Sequence, residues 1–262
     1  MLHHDSLSRR FAEARLPLHL TEAPLTRTSE EIVQIDISRV ARPKSELFRL
    51  YRGAPSNRVD VLGIDRGERQ LVLLVHEPRR AFEVRLSRSA RLEPGTRVLR
   101  REGRQVIVEQ HTQDRKRHFL CGMDEAHLFI AELPRGVSSV PLAREALRAP
   151  EVPSSHAIGG QPIRRQGEWF FLPLSTSQVT AIEALARAGV VRRDIGIAQA
   201  AGLGRAGRPH VADEVYVDLR RVIFVRGHVR HPDHKTIELR EWTRVVPNRE
   251  RFERPQGVLW ID

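Results

Sequence analysis

Short runs of alternating apolar and polar residues, separated by turn signals, most strongly constrain the fold of this chain. Such signals occur at Asp65-Arg-Gly67, Glu93-Pro-Gly95 and Arg101-Glu-Gly103. A period of two predicts half-buried strands, and short turns that contain glycine favour hairpins between neighbouring strands. We therefore predict a mostly antiparallel sheet. The first runs are Glu31–Ile37, Arg58–Ile64, Gln70–Val75, Ala81–Leu86, Arg97–Arg100 and Gln105–Glu109.

Helical patterns are fewer. Ser139 can cap a helix whose first turn holds Pro141, and a second helix is expected over 177–188, where Gly189 ends it. The fold class that follows is α+β: mostly short antiparallel strands, joined as hairpins, with two or three helices. The later strands are expected at His118–Cys121, Leu128–Leu133, Glu168–Leu172, Tyr216–Leu219, Arg221–Val225, Thr236–Leu239 and Trp242–Val246.

The composition changes in the middle of the chain. Residues 149–160 contain two prolines, two serines and the pair Gly159-Gly160, which is typical of a linker. We therefore predict a β-rich N-terminal domain over 1–148, a linker over 149–160 and an α+β C-terminal domain over 161–262.

The charge of the chain points to a polyanionic partner. It has 44 Lys and Arg and 33 Asp and Glu, which gives a formal net charge of +11. A basic surface attracts phosphates through Coulomb forces and counterion release. Nearly all the basic residues are arginines, whose planar fork suits phosphate. The first hypothesis is a basic binding module for RNA or DNA. The arginines expected to contact phosphate are Arg220, Arg221, Arg226, Arg230 and Arg244.

A second hypothesis rests on His228-Val-Arg-His231-Pro-Asp233-His234, where three imidazoles and a carboxylate lie close together in the sequence. Such groups bind zinc, manganese or iron, and ligands around a turn can converge. Asp233 or Glu168 would orient an attacking water, as in a metal-dependent hydrolase or nuclease. A polar turn between strands is the alternative. The expected metal ligands are His228, His231, His234 and His210.

Two further motifs lie close together in the sequence. Gly202-Leu-Gly204-Arg-Ala-Gly207 matches the GxGxxG sequence pattern of a dinucleotide-binding loop. Such a loop follows a strand, whereas the residues before Gly202 have a helical pattern. The segment Ile197–Leu203 resembles the first helix and glycine turn of helix-turn-helix DNA-binding proteins. That resemblance implies a second helix, which Pro209 would interrupt, since proline inside a helix costs about 3 kcal/mol. A simple helix that ends at glycine is the alternative.

Several classes of protein are excluded or disfavoured by the sequence. Its longest apolar runs, such as Leu71–Val75, are much shorter than the roughly 20 residues of a membrane span, so no membrane partner is expected. The N-terminus has no apolar signal, and we expect a cytoplasmic protein. Cys121 is the single cysteine, which excludes internal disulfides and zinc sites built from cysteine. A scaffold subunit is the third hypothesis, and the sequence leaves open whether the chain is an enzyme.

Overall fold

The computed structural model describes residues 2–26, 31–40, 45–92, 95–203 and 208–250. Mostly antiparallel sheets and four short helices make up this part of the chain. The predicted α+β class is therefore confirmed, with one helix more than the two or three expected. None of these helices is long and apolar enough to span a membrane.

The first half of the chain forms three small sheets with a helix at each end. Its helices are α1 (Leu2–Glu13) and α2 (Val140–Leu147). Its strands are β1 (Leu18–Thr21), β2 (Gln34–Val40), β3 (Ser45–Tyr51), β4 (Arg58–Asp65), β5 (Gln70–Glu77), β6 (Ala81–Ser87), β7 (Arg97–Glu102), β8 (Gln105–His111), β9 (Arg115–Asp124) and β10 (His127–Glu132). The strand orders are β1-β3-β2, β10-β9-β5-β4 and β6-β8-β7. Only β1 and β3 pair in parallel among these strands.

Helix α1 arises from a segment that looks polar in the sequence. Leu7 and Phe11 lie one turn apart, and both are buried. The ring of Phe11 meets that of Phe48 on β3 edge to face, with centroids 5.6 Å apart. A spacing of four residues places both apolar side chains on one face. The helix therefore covers the core of the first half although most of its residues are polar.

Strands β6, β7 and β8 form an insertion between β5 and β9 of the second sheet, which we call the excursion. Strand β5 pairs directly with β9, from Gln70 opposite Gly122 to Glu77 opposite Arg115. The residues between these two strands leave the sheet at the Glu77 end and fold into their own sheet with β8 in the centre. The turn after β9 lies at the other end of that strand, about 30 Å away for a ten-residue strand.

The second half is organised around one large sheet. The strands of this half are β11 (Ala157–Ile158), β12 (Gln161–Pro162), β13 (Arg164–Gln166), β14 (Trp169–Leu172), β15 (Val191–Gly196), β16 (Val211–Val217), β17 (Ile223–His231) and β18 (His234–Pro247). Strands β11 and β12 pair only with each other. Its helices are α3 (Thr176–Ala188) and α4 (Ile197–Ala201). Six strands form an antiparallel sheet in the order β13-β14-β18-β17-β16-β15. Trp169 and Trp242 are its largest fully buried side chains.

The segment predicted as a linker packs against this sheet. Ala149 and Val152 are each 2% exposed, and they share a cluster with Phe170 and Leu172 of β14. Ile158 packs against the same cluster. The boundaries of the two domains stay a prediction, but residues 149–158 contribute to the core of the second half.

Helix α4 ends as a simple glycine-terminated helix. Gly202 adopts a φ of 68°, the left-handed conformation that favours glycine after a helix. Strand β16 begins at Val211, so within the described residues 208–217 no second helix follows. Gly204 and Gly207, which complete the glycine motif, lie outside the described residues.

The turn between β17 and β18 touches the first half of the chain. Arg39 on β2 donates to Asp233 in this turn, with a distance of 3.0 Å from Nη2 to Oδ2. The backbone N–H of Lys235 donates to Oε2 of Glu125, which lies in the turn after β9, at 3.0 Å. The position of this turn is therefore fixed from both halves, and it carries the residues described next.

Candidate metal centre

Three of the four predicted metal ligands come together. His210 lies directly before β16, His231 ends β17, and His234 begins β18. Because β16 pairs with β17, the residue before β16 lies beside the end of β17, where the turn presents the other two histidines. One ligand atom from each imidazole lies within 4.8 Å of the other two, so this triad could hold a metal ion.

The three rings are packed against one another. Those of His210 and His231 are stacked, with centroids 4.2 Å apart and planes inclined by 18°. The ring of His234 lies 5.0 Å from that of His231 and 5.6 Å from that of His210. The nitrogen lone pair of an imidazole lies in the ring plane, and two nearly parallel rings cannot direct theirs at one point. One of the stacked rings must therefore rotate when an ion binds.

Gly167, in the turn between β13 and β14, lies against the triad. A Cβ atom at this position would be 3.1 Å from Nε2 of His210 and 3.1 Å from Nε2 of His234. Its φ of 56° is also in the region that favours glycine. Glycine therefore lets this turn pack closely against both Nε2 atoms, where a side chain would press on the two rings.

Glu168 follows this glycine and approaches the other side of the His210 ring. Its Oε2 lies 3.7 Å from Nδ1 of His210. The side chain of His210 is 4% exposed and that of Glu168 is 26% exposed. A carboxylate that holds the second nitrogen of a metal-bound histidine fixes the ring and increases its basicity. Glu168 is therefore placed to orient His210.

Both nitrogens of His231 have hydrogen-bond partners. Its Nδ1 accepts from the backbone N–H of Asp233 at 3.2 Å, and its Nε2 lies 3.3 Å from the carbonyl oxygen of Arg208. Burial lowers the pKa of His231, and the neighbouring His234 lowers it further. A lowered pKa favours the neutral imidazole, which is the form that binds metals. Ligation through Nε2 requires the long contact with Arg208 to open.

Asp233, one of the two residues predicted to orient water, points to the first half of the chain instead. Its Oδ1 lies 3.8 Å from both Nη1 of Arg208 and Nε2 of His127, while Oδ2 binds Arg39. Burial alone would raise the pKa of Asp233, but the charge and hydrogen bond of Arg39 hold it below the ordinary value. The carboxylate thus stays ionised and is committed to basic partners.

His228, the fourth predicted ligand, lies apart from the triad. Its Nδ1 is 2.9 Å from Oδ2 of Asp213, and the same oxygen accepts from the backbone N–H of His228 at 2.7 Å. The imidazole is 55% exposed. Residues alternate in direction along a strand, so His228 and the buried Val229 occupy opposite faces of β17.

Three of the five arginines predicted to bind phosphate have carboxylate partners. Arg226 binds Glu183 and Glu214 and also lies over the Trp242 ring at 4.8 Å. The pairs of Arg230 and Arg244 follow the same pattern. Their carboxylate partners are Asp194 and Asp213 for Arg230 and Glu151 for Arg244. The remaining two, Arg220 and Arg221, are exposed in the turn between β16 and β17.

A more basic surface lies on the excursion, outside the set of arginines predicted to bind phosphate. Residues 79–104 contain nine arginines against three glutamates. Arg88, Arg101 and Arg104 are exposed there, and none of them forms an ion pair with a carboxylate of the described residues. This density was visible in the sequence: nine arginines in 26 residues exceed the density of segment 220–254, which has ten basic and five acidic residues in 35.

Cys121 is fully buried, and burial raises the pKa of its thiol well above the usual range. The thiol is therefore a packed apolar group without thiolate character.

Comparison of the chain with protein-family models, with curated proteins and with solved structures found no match.

Proposed function

We propose that this chain is a zinc-dependent hydrolase that acts on anionic esters, with its metal centre at His210, His231 and His234. The observation that carries the proposal is the convergence of three imidazoles from two separate parts of the chain, each able to offer one nitrogen within 4.8 Å of the others. The turn before β14, with Gly167 and Glu168, closes one side of this group.

The donor set speaks against manganese and fits catalytic zinc. Three imidazoles suit zinc, copper, iron or nickel, whereas manganese prefers carboxylate oxygens. Asp233 is engaged by Arg39, so the nearest carboxylate of the turn is committed elsewhere. Zinc with three histidines keeps a fourth position for water, which is the pattern of catalytic rather than structural zinc sites.

The surroundings of the triad favour an anionic substrate. Zinc, when bound, lowers the pKa of its water and polarises the bond that is attacked. Arg208 and Arg165 lie on two sides of the triad: Arg208 contacts His231 through its carbonyl, and Nε of Arg165 donates to the carbonyl of Gly167 at 2.8 Å. Their side chains are 47% and 41% exposed, and each lies 3.8 Å from one carboxylate, that of Asp233 for Arg208 and that of Asp124 for Arg165. Because exposed ion pairs of this length are weak, both guanidinium groups can still attract a phosphate or carboxylate from solvent.

The test is the metal content of the purified chain, followed by hydrolysis of bis(4-nitrophenyl) phosphate. We expect about one equivalent of zinc and activity that a chelator removes and zinc restores. His231→Ala should lose both while keeping the far-UV circular dichroism spectrum of the wild type. His228→Ala is the matched control, because it removes an imidazole outside the triad, and it should keep both.

Two results would each reject a part of the proposal. Zinc content that is equal in wild type and His231→Ala would show that the triad is not the metal site. Stoichiometric zinc that is lost in His231→Ala, without hydrolysis of the phosphodiester, would keep the metal centre and reject the activity on phosphate esters.

A second function, nucleic-acid binding, is favoured by the arginines of the excursion. Arg88 and Arg104 are neighbours, since the N–H of Arg88 donates to the carbonyl of Arg104 at 2.9 Å. Arg101 precedes the same turn between β7 and β8. Three guanidinium groups without carboxylate partners among the described residues can contact successive phosphates. We propose this surface, rather than the arginines of β17 and β18, as the contact with RNA or DNA.

A further inference from the structure

A cleft of about 640 Å³ lies at the edge of the second sheet, and none of its lining residues belongs to the triad. Helix α1 forms one wall with Ser6 and Arg10, and the loop between β3 and β4 forms the other with Arg52 and Ser56. Strand β4, which is the edge strand of its sheet, lines the cleft from Arg58 onwards. A volume of this size is typical of sites for small organic ligands.

The lining of the cleft is basic. It contains Arg10, Arg52 and Arg58 but only one carboxylate, Asp60. Arg10 is compensated by Glu13, which lies 2.7 Å from it. Neither Arg52 nor Arg58 forms an ion pair with a carboxylate of the described residues. Two guanidinium groups are therefore available to an anion that enters the cleft.

The loop that carries Arg52 is held rigidly. Asn57 is 1% exposed, and its Nδ2 donates to the carbonyls of Glu31 and Arg52, at 2.8 Å each. Nη2 of Arg52 donates back to the carbonyl of Asn57 at 3.3 Å, which fixes the direction of the guanidinium.

Gly53 allows the loop to approach the backbone of residues 31 and 32 closely. A Cβ at Gly53 would lie 2.5 Å from the carbonyl oxygen of Ile32, and the φ of 70° is in the left-handed region. A loop that is already ordered loses little entropy when a ligand binds.

We propose that this cleft binds a small phosphorylated molecule of about the size of a mononucleotide, through Arg52 and Arg58. Arginine pairs form charge-assisted hydrogen bonds with phosphate oxygens. The hydroxyl groups of Ser6 and Ser56 line the same cleft and can bind the oxygens of a sugar. The site is separate from the metal centre, and the proposal does not depend on the proposed hydrolase activity.

The experiment is calorimetric titration of the full chain with adenosine 5′-monophosphate and, in a second arm, with a single-stranded 12-mer that has no terminal phosphate. The variant is Arg58→Gln, and the matched control is Arg135→Gln, which removes an exposed arginine elsewhere on the surface. Both lose one charge. We expect Arg58→Gln to weaken binding of the mononucleotide at least about tenfold, whereas Arg135→Gln binds like the wild type.

The second arm distinguishes a small ligand from a nucleic acid. If the 12-mer keeps its affinity in Arg58→Gln while the mononucleotide loses it, the cleft is a site for small phosphorylated ligands. If only the 12-mer binds, or if both arginine variants bind the mononucleotide equally, the proposal is wrong. Circular dichroism confirms that each variant is folded before it is titrated.

Discussion

Asp233 lies between the candidate metal ligands His231 and His234 in the sequence, yet its Oδ2 accepts from Nη2 of Arg39 at 3.0 Å. Arg39 lies 194 positions earlier in the chain. The side chain of Asp233 is 15% exposed and that of Arg39 is 42% exposed. This pair joins the turn that carries His231 and His234 to strand β2 of the first half. The part of the histidine cluster that looked catalytic in the sequence thus holds the two halves together.

Replacing Arg39 with Met tests this link. The substitution leaves Asp233 partly buried without its closest cation, so we expect the free energy of unfolding to fall by about 1 kcal/mol. We also expect the affinity for zinc to fall, because the turn is less firmly positioned. Urea denaturation and zinc competition measure the two effects. Arg97→Met is the control, since that arginine is 71% exposed and pairs with Glu109 on the distant excursion; equal effects in both variants would contradict the proposed link.

Replacing Glu168 with Gln separates an orienting role from a ligand role. The amide keeps the shape of the side chain but removes the negative charge beside Nδ1 of His210, 3.7 Å away. We expect the affinity for zinc to fall by about 10- to 100-fold, with stoichiometry unchanged. Competition with a chromophoric chelator gives this value. Glu151→Gln, at the surface beside Arg244, should have wild-type affinity, and a loss of stoichiometric binding in Glu168→Gln would instead make Glu168 a ligand.

The sequence predicted most of the longer strands, though not β3 or β15, because alternation along a strand records which side faces the core. Val229 is fully buried and His228 is exposed, as a period of two requires. The same alternation shows why His228 does not join the triad: it emerges on one face of β17, whereas His231 lies at the end of the strand, beyond a register shift.

Other features depend on contacts between distant residues, which local patterns do not contain. Helix α1 is visible only through Leu7 and Phe11, whose burial depends on β3 and the second sheet. Arg226 looked available for phosphate until the fold placed Glu183 and Glu214 beside it. A count of charges along the sequence does not record these pairings, which decide where uncompensated charge remains.

The arginines of the excursion give a prediction about salt. Changing Arg88, Arg101 and Arg104 together to Gln should weaken binding of a 20-base-pair DNA and reduce the slope of log K against log [salt] by about 2 to 3. The same change at Arg226, Arg230 and Arg244 should have little effect on the slope, because carboxylates already neutralise those side chains. Fluorescence anisotropy over a series of salt concentrations compares the two variants. A larger reduction of the salt slope in the variant changed at Arg226, Arg230 and Arg244 would instead place the nucleic-acid contact on β17 and β18.

Asp213 should make the stability of the second half depend on pH. Its Oδ2 accepts from the backbone N–H of His228 at 2.7 Å, and Arg230 binds its Oδ1. The backbone bond from His228, helped by the side chains of His228 and Arg230, lowers the pKa of Asp213 to about 2. Gly227 makes the arrangement feasible, since a Cβ there would lie 2.6 Å from Oδ2.

A folded-state pKa below the ordinary value of 3.8 means that the ionised form stabilises the fold. This contribution is complete above the unfolded value and disappears as the pH falls through the folded value. We therefore expect Asp213→Asn to lower the free energy of unfolding by about 1 kcal/mol at pH 7, since the site is partly exposed, with a smaller difference at pH 3 than at pH 5. Urea denaturation at these three pH values measures it. Asp60→Asn, which removes a carboxylate without an ion pair among the described residues, is the control. A difference in the free energy of unfolding between wild type and Asp213→Asn that is larger at pH 3 than at pH 5 would contradict the role assigned to Asp213.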